Sequence, residues 1–428
     1  MKAVPSPVVE NADKSGIVPL EMTLSAQEIT PSDAQLLSDA GAHLYPNYAQ
    51  PALVMERGQG SVLYDRAGRR YLDLFAGIAV STLGHAHPRL VAAISEQAGR
   101  LIHLSNHFYN EPNTRLAPLL CQLTGMDRAF FCNSGTEANE AALKLSRRYF
   151  FDQGQRERHV VIAFHNSFHG RTMGALAATG QQKYRKGFGP LPEIHHVEYG
   201  DLAATQAVLD DRVAAIMVEP IQGEGGVVVA PAGFLQGLRE LCDRSGALLI
   251  TDEIQTGVGR TGAILATAAE GVTADIVTLA KGLGGGVPIG AMLCQERLGK
   301  TLVPGSHGTT FGGNPLASAA ALAVLSEILE SHLLNKVVVQ GARLEARLDQ
   351  LVAKHTCLVS RRGRGLLQGL VLRDPEQGNA ILSALREAGV LVTFAGGVAL
   401  RITPPLIISD DELEEALTII DQVLESFS

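Results

Sequence analysis

Ala247-Leu248-Leu249-Ile250-Thr251-Asp252 and Asp275-Ile276-Val277-Thr278-Leu279-Ala280-Lys281 are two short apolar runs, each closing on a charge. Runs of this length and composition, bounded by polar or glycine residues, predict buried strands rather than helices. In open α/β sheets, ligands bind outside the carboxyl ends of the strands. An acid and a lysine delivered there together match what pyridoxal phosphate requires: an amine for a Schiff base and a carboxylate for the pyridinium nitrogen. Taken singly, Lys281 would be a solvated loop residue and Asp252 a helix cap. The rest of the chain has to decide between those readings.

Outward from these runs the same grammar continues. Short apolar segments at Arg128–Cys132, Val160–Phe164, Ala214–Val218, Ala247–Thr251, Asp275–Leu279 and Ala291–Cys294 alternate with helical patterns such as Glu137–Tyr149 and Ala232–Arg244. That alternation predicts an α/β fold with a mostly parallel sheet and helices on both faces. After Leu325 the pattern changes. Leu344, Leu348 and Leu351 share one helical face, as do Leu413, Leu417, Ile420 and Leu424, with strand-like runs at Leu366–Leu372 and Gly397–Ile402 between them. The expected organisation is a flexible extension (residues 1–30) and an N-terminal segment (31–80) whose strands near Val62–Leu74 join a small domain. A large domain (81–325) and a C-terminal small α+β domain (326–428) complete it.

Composition narrows the function. The chain has 428 residues, is 46% hydrophobic, and carries a net charge of −8 without a lysine or arginine block, which argues against nucleic acid or an anionic membrane as partner. No apolar run reaches the length of a membrane span. The first 30 residues lack the order of a signal peptide and contain Glu10, Asp13 and Glu21. The cysteines Cys121, Cys132, Cys242, Cys294 and Cys357 are scattered singly, as expected of reduced thiols in a cytoplasmic protein.

Arg128-Ala-Phe-Phe-Cys-Asn-Ser134-Gly135-Thr136-Glu137 reads as strand, tight turn and helix start. Gly135 permits close backbone approach, Ser134 and Thr136 supply hydroxyls, and the helix start attracts an anion, so the segment reads as a phosphate cradle. It is not a P-loop, which needs Gly-Lys-Ser/Thr. Gly363-Arg-Gly365-Leu-Leu-Gln-Gly369 mimics a dinucleotide loop but leads into a strand, so that context fails. His85-Ala-His87 and His195-His196 lack a clear third ligand, and no metal is expected.

Six motifs in order resemble the class III (subgroup II) aminotransferases. They are Asn-Ser-Gly-Thr-Glu-Ala-Asn-Glu (133–140), Phe-His-Gly-Arg-Thr (168–172), Glu-Pro-Ile-Gln-Gly-Glu-Gly-Gly (219–226), Thr-Asp-Glu-Ile-Gln-Thr-Gly-Val-Gly-Arg-Thr-Gly (251–262), Ala-Lys-Gly-Leu-Gly-Gly-Gly (280–286) and His-Gly-Thr-Thr-Phe-Gly-Gly-Asn-Pro (307–315). The resemblance implies the aspartate-aminotransferase-like fold, type I of the pyridoxal-phosphate enzymes. It assigns Lys281 the covalent attachment of the cofactor and the proton transfer, and Asp252 the pyridine nitrogen. Phe168 would lie against the cofactor ring, Gln255 would bond its phenolic oxygen, and Ser134, Gly135 and Thr136 would hold its phosphate. Thr310 would reach the same phosphate from a neighbouring subunit, implying a homodimer with shared active sites.

By the same resemblance Arg401 takes the α-carboxylate of glutamate or 2-oxoglutarate, and Arg171 takes the second carboxylate or that of an ω-amino donor. Both are suited to this by the bidentate guanidinium fork. Glu224 would cover Arg401 when no carboxylate is there, and Tyr48 would contact substrate. Ile78 stands where ornithine-specific members carry a tyrosine for the free α-amine; an apolar residue suits an acylated amine instead. The implied reaction is transamination of N-acetylornithine with 2-oxoglutarate in arginine biosynthesis. Succinyl-diaminopimelate, succinylornithine, ornithine and 4-aminobutyrate stay open as donors, and aminomutase or racemase chemistry is the more distant alternative.

Overall fold

The computed structural model describes residues 31–49 and 51–428. The extension expected over residues 1–30 lies outside them. The chain divides into two units, one ending at Val54 and one running from Met55 to Ser428. In the first, the helix Asp33–His43 is capped by Ser32, whose hydroxyl accepts from the Gln35 amide at 3.2 Å, and none of its residues is buried.

The second unit is built on a seven-stranded sheet. In spatial order its strands are Arg128–Cys132, Gly290–Cys294, Ile276–Leu279, Leu248–Asp252, Val213–Val218, Val160–Phe164 and Ile194–Val197. Gly290–Cys294 runs antiparallel to both neighbours, whereas the pairings from Ile276–Leu279 to Ile194–Val197 are all parallel. Five of these strands are fully buried, as continuous apolar runs covered on both faces must be. The strand ends differ from the sequence expectation by a residue in several places: Leu248–Asp252 includes the aspartate itself.

Ile194–Val197 was not among the expected strands. Its middle residues are His195 and His196, and three of its four residues are only half-buried, so it carries no apolar run. It extends the sheet at its edge beside Val160–Phe164.

Two four-stranded sheets and a two-stranded one, Ile221–Gln222 with Val228–Val229, complete the sheets of the unit among the described residues. Leu358–Arg364, Leu367–Leu372, Ala399–Ile402 and Thr393–Ala395 form one four-stranded sheet, entirely antiparallel. The glycine-rich stretch 363–369 is thus a hairpin, with Arg364 opposite Leu367. In the other, Met55–Gln59, Val62–Asp65 and Arg70–Asp73 pair antiparallel, and Val390–Leu391 joins Arg70–Asp73 in parallel. Val62, Leu72 and Leu74 share a core with Leu344, Leu348, Leu413, Leu417 and Leu424, so early and late parts of the sequence are packed together. Among the described residues, no single helix is long and apolar enough to cross a membrane.

After Arg70–Asp73 the backbone makes a left-handed turn. Ala76, Gly77, Ile78 and Ala79 all have positive φ, at 47°, 62°, 66° and 60°. Left-handed backbone costs an L-residue about 1–2 kcal/mol, most for a β-branched one. Asp73 holds the turn by accepting from the amides of Phe75 (2.9 Å) and Ala76 (2.7 Å), and Thr403 donates its hydroxyl to the Phe75 carbonyl at 3.0 Å. The other Asp73 oxygen lies 2.7 Å from Nε2 of His85.

Candidate active site

The strands Leu248–Asp252 and Ile276–Leu279 are adjacent and parallel, with Asp252 opposite Thr278, so their carboxyl ends open together. A cavity of about 370 Å³ lies there, and Lys281, Asp252, Ser134, Gly135, Thr136 and Phe168 all line it. Arg171, Gln255 and Glu219 lie on its wall as well.

Asp252 is only 3% exposed. Its Oδ2 accepts from Nδ2 of Asn139 at 2.7 Å and from Nδ1 of His169 at 2.8 Å; its Oδ1 accepts from the Ile254 amide at 3.1 Å. Asn139 is fixed in turn, donating to the His169 carbonyl (2.7 Å) and accepting from the Thr278 hydroxyl (2.8 Å). Donors of this number fix the orientation of the carboxylate. Asn139 and His169 are functional supports that the sequence reading quoted in its motifs but did not assign. They converge from distant parts of the chain, so no spacing pointed to them.

Lys281 begins a short 3₁₀ turn, Lys281–Gly284, with φ of +39°, a strained conformation for a non-glycine residue. Burial pushes its amine below the ordinary lysine range; Arg401 adds to the effect, while Glu224, Asp252 and Glu219 oppose it. A lysine held this way yields its neutral, nucleophilic form more readily. Glu219 shows the opposite response. Burial and the charge of Asp252 push its carboxyl well above the usual range, and it accepts from the Phe168 amide at 3.0 Å.

At the far wall, Ser134 caps the helix Gly135–Asp152, its hydroxyl accepting from the Glu137 amide at 3.3 Å. A Cβ at Gly135 would sit 2.7 Å from Ile254, so only glycine lets the backbone approach this wall. The Thr136 hydroxyl lies 2.8 Å from that of Thr172 and accepts from the amides of Arg171 (3.2 Å) and Thr172 (3.3 Å). Glu140 tightens this corner through one oxygen, which accepts from the Thr172 hydroxyl (2.6 Å) and the amides of Gly174 (2.8 Å) and Ala175 (3.0 Å).

These residues fit pyridoxal phosphate. An eighteen-residue helix starts at the wall with its positive end and two hydroxyls for a phosphate. The oriented carboxylate of Asp252 would suit a pyridinium nitrogen, and Lys281 would offer the amine. Among the described residues no group of histidine, cysteine, aspartate and glutamate has the arrangement to hold a metal ion.

Two arginines stand in contrasting settings. Arg401, on the strand Ala399–Ile402, is 2% exposed. Its Nη1 donates to Glu224 at 2.5 Å and to Oε1 of Gln255 at 3.2 Å, and its Nε donates to the Thr393 hydroxyl at 3.2 Å. Burial raises the Glu224 carboxyl, but the charges of Arg401 and Lys281 outweigh it and hold the group below its usual range. Arg171 is exposed and forms no ion pair among the described residues; its guanidinium stacks 3.9 Å from the ring centre of Tyr184 and 5.3 Å from that of Phe168.

Three expected site residues of this unit do not line the cavity: Arg401, which touches the lining residue Gln255, Glu224, which pairs with Arg401, and Thr310. Thr310 is exposed, although its neighbour Thr309 accepts from Nδ2 of Asn133 at 3.2 Å. Tyr48 belongs to the unit ending at Val54 and is exposed.

The model of the class-III aminotransferases matches residues 44–424. The acetylornithine aminotransferase of Myxococcus xanthus is 49% identical over 397 residues, covering 92% of this chain and 98% of its own. The succinylornithine transaminase of Salmonella paratyphi A is 49% identical over 377 residues, covering 87% and 92%. Among solved structures, the ornithine aminotransferase of Toxoplasma gondii superposes with a TM-score of 0.89 at 35% identity, covering 93% of this chain and 96% of that one.

Proposed function

We propose a specific reaction for this chain, which belongs to the class-III aminotransferases: transfer of the ω-amino group of N-acetylornithine to 2-oxoglutarate, giving N-acetylglutamate 5-semialdehyde and glutamate in arginine biosynthesis. The chain is a pyridoxal-phosphate-dependent aminotransferase of fold type I. Bound in the cavity, the cofactor supplies an electrophilic carbon for the amino group and an electron sink for the adjacent C–H bond.

The observation that carries the reading is the pairing of Arg401 with Glu224, while Arg171, on the cavity wall, has no ion pair among the described residues. An ω-amino donor brings one carboxylate to the site, and 2-oxoglutarate brings two. With the donor bound, Arg171 takes its carboxylate and Glu224 neutralises Arg401, whose buried charge would otherwise stand alone at a cost of several kcal/mol. With glutamate or 2-oxoglutarate bound, the substrate α-carboxylate replaces Glu224 on the Arg401 fork. The Lys281 amine accepts and returns the proton that moves between carbon atoms, helped by its lowered basicity. Asp252, fixed by Asn139 and His169, keeps the ring nitrogen protonated. Gln255 stands between the two ends, lining the cavity and touching Arg401.

Thr310, exposed and off its own cavity, completes a partner's phosphate site in a homodimer, and Tyr48 contacts substrate. The free state of all five cysteines supports a reducing, cytoplasmic setting. Ile78, in the left-handed turn, supports a donor whose α-amine is acylated and uncharged. The similar identity to a succinylornithine transaminase makes the succinyl donor the second reading. A panel of N-acetylornithine, succinylornithine, ornithine and 4-aminobutyrate against 2-oxoglutarate, ranked by kcat/KM, tests both. Free ornithine outperforming the acylated donors by about tenfold, equivalent to about 1.4 kcal/mol, would sink the acyl assignment.

A further inference from the structure

We propose that the cleft on the outer face of the helix Gly135–Asp152 binds a small multivalent oxyanion, at a site separate from the catalytic cavity. The cleft has a volume of about 390 Å³ and is lined by Lys144, Arg147, Arg148, Phe151, Arg156 and His159, among others. On the helix, the spacing 144, 147, 148 and 151 puts three cations and an aromatic ring on one face. Like charges three and four residues apart repel, so this face opposes helix formation unless something neutralises it.

Little in the chain does so. Arg148 pairs with Asp152 at 2.6 Å, but among the described residues no carboxylate forms an ion pair with Lys144, Arg147 or Arg156. The partner of Lys144 is Nδ1 of His307 at 2.8 Å, an imidazole that burial and Lys144 hold below its usual basicity. The helix dipole does not account for the cluster, because its pull is confined to the last turn, which holds no basic residue. A concentration of cations is also contrary to the chain's net charge of −8.

The geometry is that of a receptor for oxygen anions. Arg147 is half-buried, and its Nε donates to the His159 carbonyl at 3.0 Å, which fixes the guanidinium, and among the described residues neither terminal nitrogen makes a hydrogen bond. A guanidinium oriented in this way presents a fork to a phosphate or carboxylate. The Phe151 ring lies 5.2 Å from the Arg156 guanidinium and 5.9 Å from that of Arg148, steadying both at the rim. Three cations with no carboxylate partner among the described residues call for at least two negative charges, which phosphate esters and polycarboxylates both provide.

The test is calorimetric titration of the holoenzyme, its cofactor phosphate site already filled, with pyrophosphate and separately with citrate at low salt. Saturable binding that weakens as salt is added is expected. The double variant Arg147→Gln/Arg156→Gln should bind about tenfold or more weakly, since charge-assisted bonds are lost, while retaining wild-type turnover. Lys144→Gln should give a smaller loss of the same kind and serves if the double variant does not fold. The anion should raise the wild-type Tm more than that of the variants. Binding of pyrophosphate alone identifies a phosphate ester as the natural class, citrate alone a polycarboxylate, and both a site that reads charge. No saturable heat up to about 10 mM of either anion, or equal affinity in wild type and variants, overturns the proposal.

Discussion

The two ends of the catalytic cavity hold their charges in different ways. At the cofactor end, Asp252 is fixed by Asn139, His169 and the Ile254 amide, and Asn139 is itself fixed by two further bonds. At the substrate end, one carboxylate covers Arg401, and the Tyr184 and Phe168 rings steady Arg171. The first arrangement suits a partner that stays through every turnover. The second suits partners that come and go, because a single ion pair can be exchanged for a substrate carboxylate of the same geometry. Rigidity and exchangeability thus sit a few residues apart, for Asp252 ends its strand, Gln255 lies in the turn that follows, and the two touch opposite ends.

Substitutions at the cofactor end should be all-or-none. Lys281→Ala is expected to abolish turnover and remove the visible absorbance of the Schiff base; a colourless wild type with full activity would break the assignment. Asp252→Ala removes a buried charge partner worth about 3–5 kcal/mol, so kcat should fall by roughly 10²–10³-fold or more, measured with saturating cofactor.

At the substrate end the effects should be smaller and selective. Glu224→Ala is expected to lower kcat/KM for the ω-amino donor by about tenfold while sparing or improving that for glutamate. Equal losses in both half-reactions would contradict the exchange. The pair also has a pH signature. Arg401 and Lys281 depress the folded-state pKa of Glu224, so its charge and the stability it contributes are complete above the ordinary glutamate range. The charge persists as pH falls through that range, while the stability declines progressively below it and is gone once pH has passed the lower folded value. Donor preference should accordingly hold through mildly acidic pH wherever the enzyme stays folded, which half-reaction kinetics can follow.

Tyr184→Leu should produce the smallest change. Loss of a cation–π contact worth about 0.5–1 kcal/mol predicts a KM rise of roughly two- to fivefold for carboxylate substrates, with kcat little altered. Tyr184→Phe should retain the wild-type KM, since the ring face is kept. If both variants behave alike, Arg171 is not oriented by the ring.

The parts of this molecule legible from its sequence share a cause. Asp252 and Lys281 could be located because each closes an apolar run, and the cradle 134–136 because hydroxyls, glycine and a helix start occur together. Ile194–Val197 escaped because His195 and His196 interrupt any apolar signal; burial, with Arg185 nearby, lowers His196 to about 4, so it sits in the sheet uncharged. Asn139 and His169 could be quoted but not assigned, since their role depends on a meeting in space with Asp252. The left-handed turn at 76–79 escaped for a different reason. One glycine among four residues does not predict four consecutive positive φ angles.

That turn has an evolutionary consequence. Its course is fixed from outside, by the Asp73 carboxylate and the Thr403 hydroxyl acting on backbone atoms, and Val80 just beyond it lines the cavity. The side chain at 78 contributes nothing to these bonds, and as a β-branched residue it is among the least suited to its conformation. Most replacements would leave the path of the chain intact and ease its strain. The scaffold is therefore open to inherited change there, one residue at a time, without first having to be rebuilt.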